Sequence, residues 1–189
     1  HLYADEPHGW AETIHEALDN GLPWPENLLI CFAVSLSKSH TIYGLRTGAL
    51  VCIHPDEATL EKLREVMGVT GRQTWSAAPR IAQYVLSEMH GSKEGGASWG
   101  KERDRLASLL IERRDAFVKA CAELEVPVNP THDGFFAWYE CSDPVAVAEA
   151  CADMHVYLVP LNGGVRIGLC AIPLEQIPKV AEALKASQQ

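Results

Sequence analysis

Hydrophobic residues in the first half of the chain occur either in short continuous runs or at helical spacing. The segments Leu28–Val34 and Gly48–Ile53 are continuous runs of strand length, a pattern typical of strands that are covered on both faces. A Ser- and Lys-rich stretch between them predicts a loop. Helical patterns, one of them opened by Pro and acidic residues, predict helices at Trp10–Asn20, from Pro55 to about Met67, and at Pro79–His90.

The second half begins with a glycine-rich stretch, Gly91–Gly100, which we interpret as flexible. Apolar residues at helical spacing over Lys101–Glu125 then predict one long amphipathic helix. Beyond it we predict strands at Phe135–Cys141, Val156–Val159 and Val165–Leu169 and helices at Pro144–Met154 and Pro173–Ser187. This order of elements predicts an α/β fold class in two domains, residues 1–100 and a small α+β domain over residues 101–189 that packs on the long helix.

The composition narrows the classes of protein that the chain can represent. It has 189 residues, 47% of them hydrophobic, which is enough to bury a core. A formal net charge of -9 without any cluster of Lys and Arg argues against a nucleic-acid partner. No stretch approaches the ~20 apolar residues of a membrane span, and the start lacks the zones of a signal peptide. We expect a soluble, cytoplasmic protein, and because the chain begins at His1 without Met we interpret it as part of something longer.

Six cysteines and eight histidines are scattered along the chain without CxxC, CxxH or HExxH spacing. This distribution favours buried, reduced thiols over disulfides, and it predicts no metal site. The segment Gly95–Glu102 comes close to a nucleotide-binding loop, but Glu102 replaces the hydroxyl that would hold magnesium. We interpret it as a linker ahead of the long helix.

The segment between the first two strands carries the most informative chemistry. Lys38 follows the end of the first strand, Ser35 and Ser37 lie beside it, and Arg46 comes eight positions later. A lysine offers a Schiff-base amine, while the fork-shaped donors of an arginine and nearby hydroxyls suit the oxygens of a phosphate. The alternative is that Lys38 is an ordinary solvated loop lysine.

The run SLSKSHTIYGLRTGAL, positions 35–50, resembles the cofactor-lysine segment of the class I, aspartate-aminotransferase-like family of fold-type I enzymes. The resemblance implies that residues 1–100 are the C-terminal part of a cofactor-binding large domain, with a mixed, mostly parallel sheet and flanking helices. It also implies that Lys38 forms a Schiff base with pyridoxal 5'-phosphate and moves the proton of the substrate α-carbon. Ser35 and Arg46 would bind the cofactor phosphate, and Ser37 would be a further contact of the cofactor.

Further segments fall where this family would place them. Arg72, in GRQTWS, is similar to an arginine that reaches across a dimer interface to the substrate's distal carboxylate, and Arg166, in GGVRIGL, to one that binds the α-carboxylate. Asp5 matches the aspartate that pairs with the cofactor's pyridine nitrogen. His8 stands at the spacing of a tyrosine that hydrogen-bonds the ring hydroxyl. The alternatives to these substrate-binding roles are that Arg72 is an ordinary surface arginine and that Arg166 forms a structural ion pair with an acidic residue of the protein.

The function that the resemblance implies is transfer of an amino group from an L-amino acid, aspartate, glutamate or an aromatic one, to a 2-oxo acid. It also implies a homodimer, and an N-terminal half of the same enzyme that this chain lacks. Two alternatives remain open. The same fold can host a lyase or decarboxylase that uses the same cofactor, and the chain can instead be a non-catalytic fragment that acts in dimerisation.

Overall fold

The computed structural model describes residues 9–129 and 134–188. These residues form two compact units that divide between Lys101 and Glu102. We call residues 9–101 the lysine unit and residues 102–188 the C-terminal unit, and describe each by itself. The chain is α/β, as the sequence predicts.

The lysine unit contains one antiparallel strand pair and a series of helices. The strands are β1 (Ile30–Ser35) and β2 (Gly48–Ile53), paired from Ile30 with Ile53 to Ser35 with Gly48. Its helices are α1 (Trp10–Asp19), α2 (Leu36–Ser39), α3 (Glu57–Thr74), α4 (Arg80–Gly91) and the start of α5 (Lys93–Glu123), with a 3-10 turn at Tyr43–Leu45. Strand β2 has the predicted limits, whereas the predicted loop between the strands contains α2 and the 3-10 turn.

The sheet of this unit departs from two expectations in the described residues. The strands that the structure describes pair only antiparallel, so the mostly parallel sheet is not formed by this part of the chain. The strands are also not covered on both faces, since most residues of β1 and β2 are exposed. The physical reason is that only two strands pair here and α3 has no buried residue. An apolar run indicates that a strand is suited to burial. It does not indicate whether the elements that pack on the strand belong to the same chain.

The predicted flexible stretch before the long helix is wrong as well, because α5 already begins at Lys93. The hydroxyl Oγ of Ser92 accepts a hydrogen bond from the backbone N–H of Gly95 at 3.0 Å, which is the geometry of a helix N-cap. At Gly95 a Cβ atom would lie 2.5 Å from the carbonyl oxygen of Glu88. The glycine therefore permits the tight connection between α4 and α5 rather than a flexible linker.

The C-terminal unit has a three-stranded antiparallel sheet in the order β3-β5-β4. The strands are β3 (Ala137–Glu140), β4 (Val159–Leu161) and β5 (Gly164–Ile167). The rest of α5, α6 (Pro144–Asp153), α7 (Ile177–Ala186) and 3-10 turns at Leu169–Ala171 and Leu174–Gln176 complete the unit. Its core includes Phe117 and Cys121 of α5, Val165 and Ile167 of β5, and Leu184 of α7.

The predicted strand at Val156–Val159 differs from the structure, where β4 starts only at Val159. The residues before it close the end of α6. His155 adopts a left-handed conformation with φ of 60°, and the N–H of Val156 donates to the carbonyl of Cys151 at 3.0 Å. This is a C-terminal capping arrangement, so the chain must complete the helix before it can extend into a strand.

The cysteines are free, but they are not all buried as the sequence analysis expects. Cys121 and Cys151 are buried in the C-terminal unit, and burial raises the pKa of the Cys121 thiol to about 12. Cys31 is exposed on β1, and its Sγ lies 3.5 Å from Sγ of Cys52 on β2. The difference follows from the exposed sheet of the lysine unit.

Candidate functional site

Lys38 lies on α2, a single helical turn that starts directly after β1. Ser35 ends the strand with extended backbone (φ -115°, ψ 121°) and precedes the first residue of the turn. The next residue, Leu36, is buried, and its N–H donates to the carbonyl of Thr47 at 3.1 Å. The turn is thus fixed on the side of Leu36, while the Lys38 side chain is exposed.

Arg46 is held in an unusual backbone conformation beside this turn. Its φ and ψ are both 49°, in the left-handed region, which costs a residue other than glycine ~1–2 kcal/mol. Two hydrogen bonds to the carbonyl of Tyr43 accompany this geometry, from the Arg46 N–H at 3.4 Å and from Nη1 at 3.1 Å. Nη1 also donates to Oγ of Ser37 at 3.4 Å. Strained residues of this kind are concentrated at functional sites.

The ring of Tyr43 brings the two cations together. Nζ of Lys38 lies 5.4 Å from the ring centroid, and Cζ of Arg46 lies 4.8 Å from it. Both distances are within the ~6 Å of a cation–π contact. Tyr43 itself is 63% exposed, so the amine, the guanidinium and the ring that supports them all face the surface of the lysine unit.

Close backbone packing fixes the strand ends on either side of this cluster. A Cβ atom at Gly48 would lie 2.4 Å from the carbonyl oxygen of Val34, so a side chain at position 48 would push the strands apart. Ser35 contributes its carbonyl, which accepts a hydrogen bond from Oγ of Ser39 at 3.0 Å. The loop that carries Lys38 and Arg46 is therefore held at both of its ends.

The segment 35–48 has one lysine, one arginine, several hydroxyl groups and no Asp or Glu. A guanidinium and nearby hydroxyls can donate several hydrogen bonds to one phosphate group. An exposed amine next to them can react with a carbonyl carbon. The donor set therefore fits a ligand that carries both a phosphate and an aldehyde, with Arg46 and Ser37 at the phosphate and Lys38 at the aldehyde.

Arg72 lies in the last turn of α3 in the lysine unit and is exposed. Its Nη1 donates to Oγ of Ser76 at 2.8 Å, and Ser76 has a positive φ of 73°. A cation in the last turn of a helix is also favourable to the helix dipole. The side chain is accessible at the end of the helix, and its predicted role across a dimer interface stays a prediction.

Arg166 lies on β5, the central strand of the C-terminal unit, between the buried residues Val165 and Ile167. Because side chains alternate along a strand, Arg166 points away from the core that its two neighbours enter. Its Cζ lies 4.5 Å from the ring centroid of Phe136. Arg166 and Phe136 line a cavity of about 430 Å³. The same cavity is lined by His155, Gln176 and Lys179.

The predicted site residues are distributed over the two units. Lys38, Ser37 and Arg46 are brought together in the lysine unit, whereas Arg166 belongs to the C-terminal unit. The predicted cofactor contacts Asp5 and His8 lie outside the described residues.

Sequence analysis missed two residues that contact the predicted ones. Tyr43 is part of the Tyr-Gly-x-Arg spacing in the lysine segment, which is a signal for its position but not for its contact with both cations. Phe136 lies in the strand predicted at Phe135–Cys141, and the sequence assigns it no place in the site, whereas its ring lies under Arg166. Phe136 lies one residue before the first β3–β5 pair, Ala137 with Ile167, and no spacing in the sequence indicates this contact.

Neither a metal centre nor a membrane span is found in residues 9–129 and 134–188. No group of three or more His, Cys, Asp or Glu side chains in these ranges is arranged to hold a metal ion. No helix in the same ranges combines the length and the apolar character needed to cross a bilayer.

The chain matches the family model of class I and II aminotransferases over residues 5–184. It belongs to that aminotransferase family. Among curated relatives, it is 26% identical over 159 residues to an aromatic-amino-acid aminotransferase of Paracoccus denitrificans, covering 82% of this chain and 39% of that protein. It is 23% identical over 171 residues to the cytoplasmic aspartate aminotransferase of Schizosaccharomyces pombe, covering 88% of this chain and 40% of that protein.

Solved structures of aminotransferases resemble this family member in fold. An aminotransferase of Anaerococcus prevotii superposes with a TM-score of 0.81 and 30% identity, covering 85% of this chain and 39% of that one. An aromatic-amino-acid aminotransferase of Burkholderia pseudomallei, whose structure has pyridoxal phosphate covalently bound, gives a TM-score of 0.69 at 21% identity over 86% of this chain and 41% of that one. The chain thus spans about 40% of the length of the relatives it matches.

Proposed function

We propose that this chain is the C-terminal part of a pyridoxal-phosphate-dependent aminotransferase, with Lys38 as the residue that holds the cofactor. The observation that carries the proposal is the exposed cluster in which Lys38 and Arg46 share the ring of Tyr43 and Arg46 donates to Ser37. In this proposal residues 1–100 are the C-terminal part of the cofactor-binding domain, and residues 101–189 are the interdomain helix and the small domain.

The roles of the cofactor contacts follow from the chemistry of each side chain. Arg46, Ser37 and Ser35 bind the phosphate, which the absence of carboxylates from segment 35–48 favours. Asp5 would pair with the ring nitrogen, and His8 would lie at the ring hydroxyl. When bound, pyridoxal phosphate supplies an electron sink for the negative charge that develops at the α-carbon of the substrate.

Lys38 has a second role once its amine is released by the substrate. Its Nζ is then a base that removes the proton from the α-carbon and returns a proton in the second half of the reaction. The side chain is exposed, on a short turn beside the face of Tyr43. The same amine therefore serves binding and proton transfer.

Arg166 is proposed to bind the α-carboxylate of the substrate. An arginine presents two parallel donors to a carboxylate, and Arg166 lines a cavity beside Phe136. In a homodimer, Arg72 of one subunit would bind the distal carboxylate of the substrate that is held in the other subunit. Aspartate, glutamate or an aromatic L-amino acid is the proposed donor and a 2-oxo acid the acceptor, which agrees with the aspartate and aromatic aminotransferases among the relatives.

Turnover that depends on the acceptor tests this function. The assay uses the longer polypeptide that we propose and follows deamination of aspartate or phenylalanine with and without 2-oxoglutarate. We expect product only with the acceptor, no turnover by Lys38→Ala, and full turnover by the control Lys62→Ala, which changes an exposed lysine of α3. Product without the acceptor would instead identify a lyase or decarboxylase, and no turnover in any form would support the non-catalytic alternative.

A further inference from the structure

His40, two residues after Lys38, is the meeting point of several elements of the lysine unit. Its ring is stacked on the ring of Trp99 of α5, with 5.1 Å between centroids and 9° between planes. Its Nε2 lies 2.9 Å from Nε2 of His90 on α4. Its Nδ1 lies 2.8 Å from Oγ of Ser39 on α2. His40 thus connects the turn that carries Lys38 to two helices that follow much later in the chain.

The donors and acceptors in the hydrogen bonds of Ser39, His40 and His90 can be assigned, because the hydroxyl of Ser39 has only one proton to donate. Oγ of Ser39 donates that proton to the carbonyl of Ser35. This Oγ must therefore accept a hydrogen bond from the His40 ring, which places the ring proton of a neutral His40 on Nδ1. The Nε2 of a neutral His40 is then an acceptor, and Nε2–H of His90 is the donor. The result is a directed hydrogen-bond chain from His90 through His40 and Ser39 to the end of β1.

A turn as short as α2 requires such support. It has four residues, and forming the first turn of a helix is unfavourable because it orders several residues for one hydrogen bond. The backbone bond that closes the turn runs from the N–H of His40 to the carbonyl of Leu36 at 3.1 Å. The residue whose backbone closes the turn is thus also the residue whose side chain is bound by α4 and α5.

We propose that His40 and His90 are positioning residues for Lys38, with the hydrogen bond that His90 donates to His40 keeping α2 folded beside Tyr43. Among the described residues, the His40 ring contacts His90 of α4, Trp99 of α5 and Ser39 of α2, and His90 is the one ionisable side chain of these three. The consequence for catalysis rests on the proposed function, whereas the effect on the turn does not.

Amide hydrogen exchange of the intact chain tests the positioning directly. His90→Ala removes the donor, and we expect the His40 amide to exchange roughly five- to tenfold faster, the effect of losing about one net hydrogen bond. His90→Gln keeps a side-chain N–H donor without a titratable ring and should restore most of the protection. The control His15→Ala changes an exposed histidine of α1 and should have no effect.

The amides of α3 indicate whether a variant remains folded, because α3 makes none of these contacts. Faster exchange that is confined to residues 36–40 in His90→Ala, with rescue in His90→Gln, supports the proposal. Unchanged exchange in His90→Ala, or equal loss of protection in His90→Gln, overturns it.

Covalent labelling of Lys38 by pyridoxal phosphate and borohydride, measured on the same variants of the longer polypeptide, separates this inference from the proposed function. Slower labelling of Lys38 in His90→Ala, restored in His90→Gln, supports both. The expected change in exchange without any labelling of Lys38, even in wild type, supports the positioning of the turn and overturns the proposed role of the lysine. Labelling at an equal rate in all variants overturns the link between the pair and Lys38.

Discussion

The lysine unit and the C-terminal unit bury their apolar residues to very different extents. Every member of the hydrophobic core cluster lies in the C-terminal unit. In the lysine unit, among side chains that the structure describes, only Leu36 and Ala82 are buried, while large apolar residues of its strands such as Val34, Leu50 and Val51 are 43–51% exposed. Exposed apolar surface of this extent is typical of contact with another part of a protein.

The difference shows how the same kind of sequence pattern leads to different outcomes. In both units the apolar runs form strands, but β5 is buried against helices of its own unit, whereas most residues of β1 and β2 remain exposed in the described part of the chain. The C-terminal unit therefore has the properties of a self-sufficient domain, and the lysine unit those of part of a larger one. This agrees with the proposal that the chain is the C-terminal part of a longer enzyme.

Separation of the two units should have the largest effect. We expect residues 102–189 alone to give a dispersed amide spectrum and a cooperative urea transition, because their core is complete. Residues 1–101 alone should unfold without a cooperative transition, because little apolar surface is buried. Urea titrations of both pieces measure this, and an equally sharp transition for residues 1–101 would refute the contrast.

Single core substitutions sharpen the same comparison. Phe117 is fully buried in the C-terminal unit, and Phe117→Ala should reduce the free energy of unfolding by about 3–5 kcal/mol. Val69 on α3 is 57% exposed, and Val69→Ala should change it by less than ~0.5 kcal/mol. The measurement is urea denaturation of the 189-residue chain, and similar losses for both variants would contradict the assigned burial.

Acid should weaken the lysine unit selectively through His40. Burial, and secondarily the nearby His90, lower the pKa of His40 from its ordinary value of 6.5. The folded state then prefers the neutral ring, so its stabilisation is complete above pH 6.5 and is lost as the pH falls through the lowered pKa. Amide exchange between pH 7.5 and 5, corrected for its intrinsic rate, measures the loss.

His40→Phe is the matched variant for the acid effect, because it keeps an aromatic ring on Trp99 but cannot titrate. We expect the loss of protection in residues 30–53 on acidification to be smaller in this variant than in wild type. An equal pH dependence in wild type and His40→Phe would contradict the assignment.

The smallest effect is expected at Tyr43. Tyr43→Leu removes the ring beneath Lys38 and Arg46, and a cation–π contact at an exposed site is worth ~0.5–1 kcal/mol. Tyr43→Phe keeps the ring face and should behave as wild type. Affinity for inorganic phosphate, measured by titration, should fall by a few fold in Tyr43→Leu alone, and equal losses in both variants would indicate a role for the hydroxyl instead.

Local sequence patterns predicted those elements whose ends depend on neighbouring residues. Strand β2 has the predicted limits, and the amphipathic pattern of α5 is found from Lys101 onward. Helix α3, in contrast, continues to Thr74 past the predicted end at Met67. The extension contains Gly68 and Gly71, which are poor helix formers, and the hydroxyl of Thr74 donates to the carbonyl of Thr70 at 2.8 Å. The low helix propensity of these two glycines is therefore the reason that the local pattern ends the helix too early.

The candidate site was predictable to the extent that it is local in sequence. Lys38, Ser37 and Arg46 lie within nine positions, and their spacing predicted a cluster that the structure contains. The His40–His90 contact joins residues 50 positions apart, and no spacing rule relates them. The orientation of Arg166 over Phe136 required the register of β3 and β5, which the sequence does not specify.

Covalent capture of the cofactor tests the central claim most directly. The longer polypeptide is incubated with pyridoxal phosphate, reduced with borohydride and digested, and the modified peptide is identified by mass spectrometry in wild type, Lys38→Ala and Lys62→Ala. We predict a single phosphopyridoxyl group on Lys38 in wild type and Lys62→Ala, and none at any site in Lys38→Ala. Modification that is spread over exposed lysines, or undiminished in Lys38→Ala, would contradict the assignment of Lys38 as the cofactor lysine.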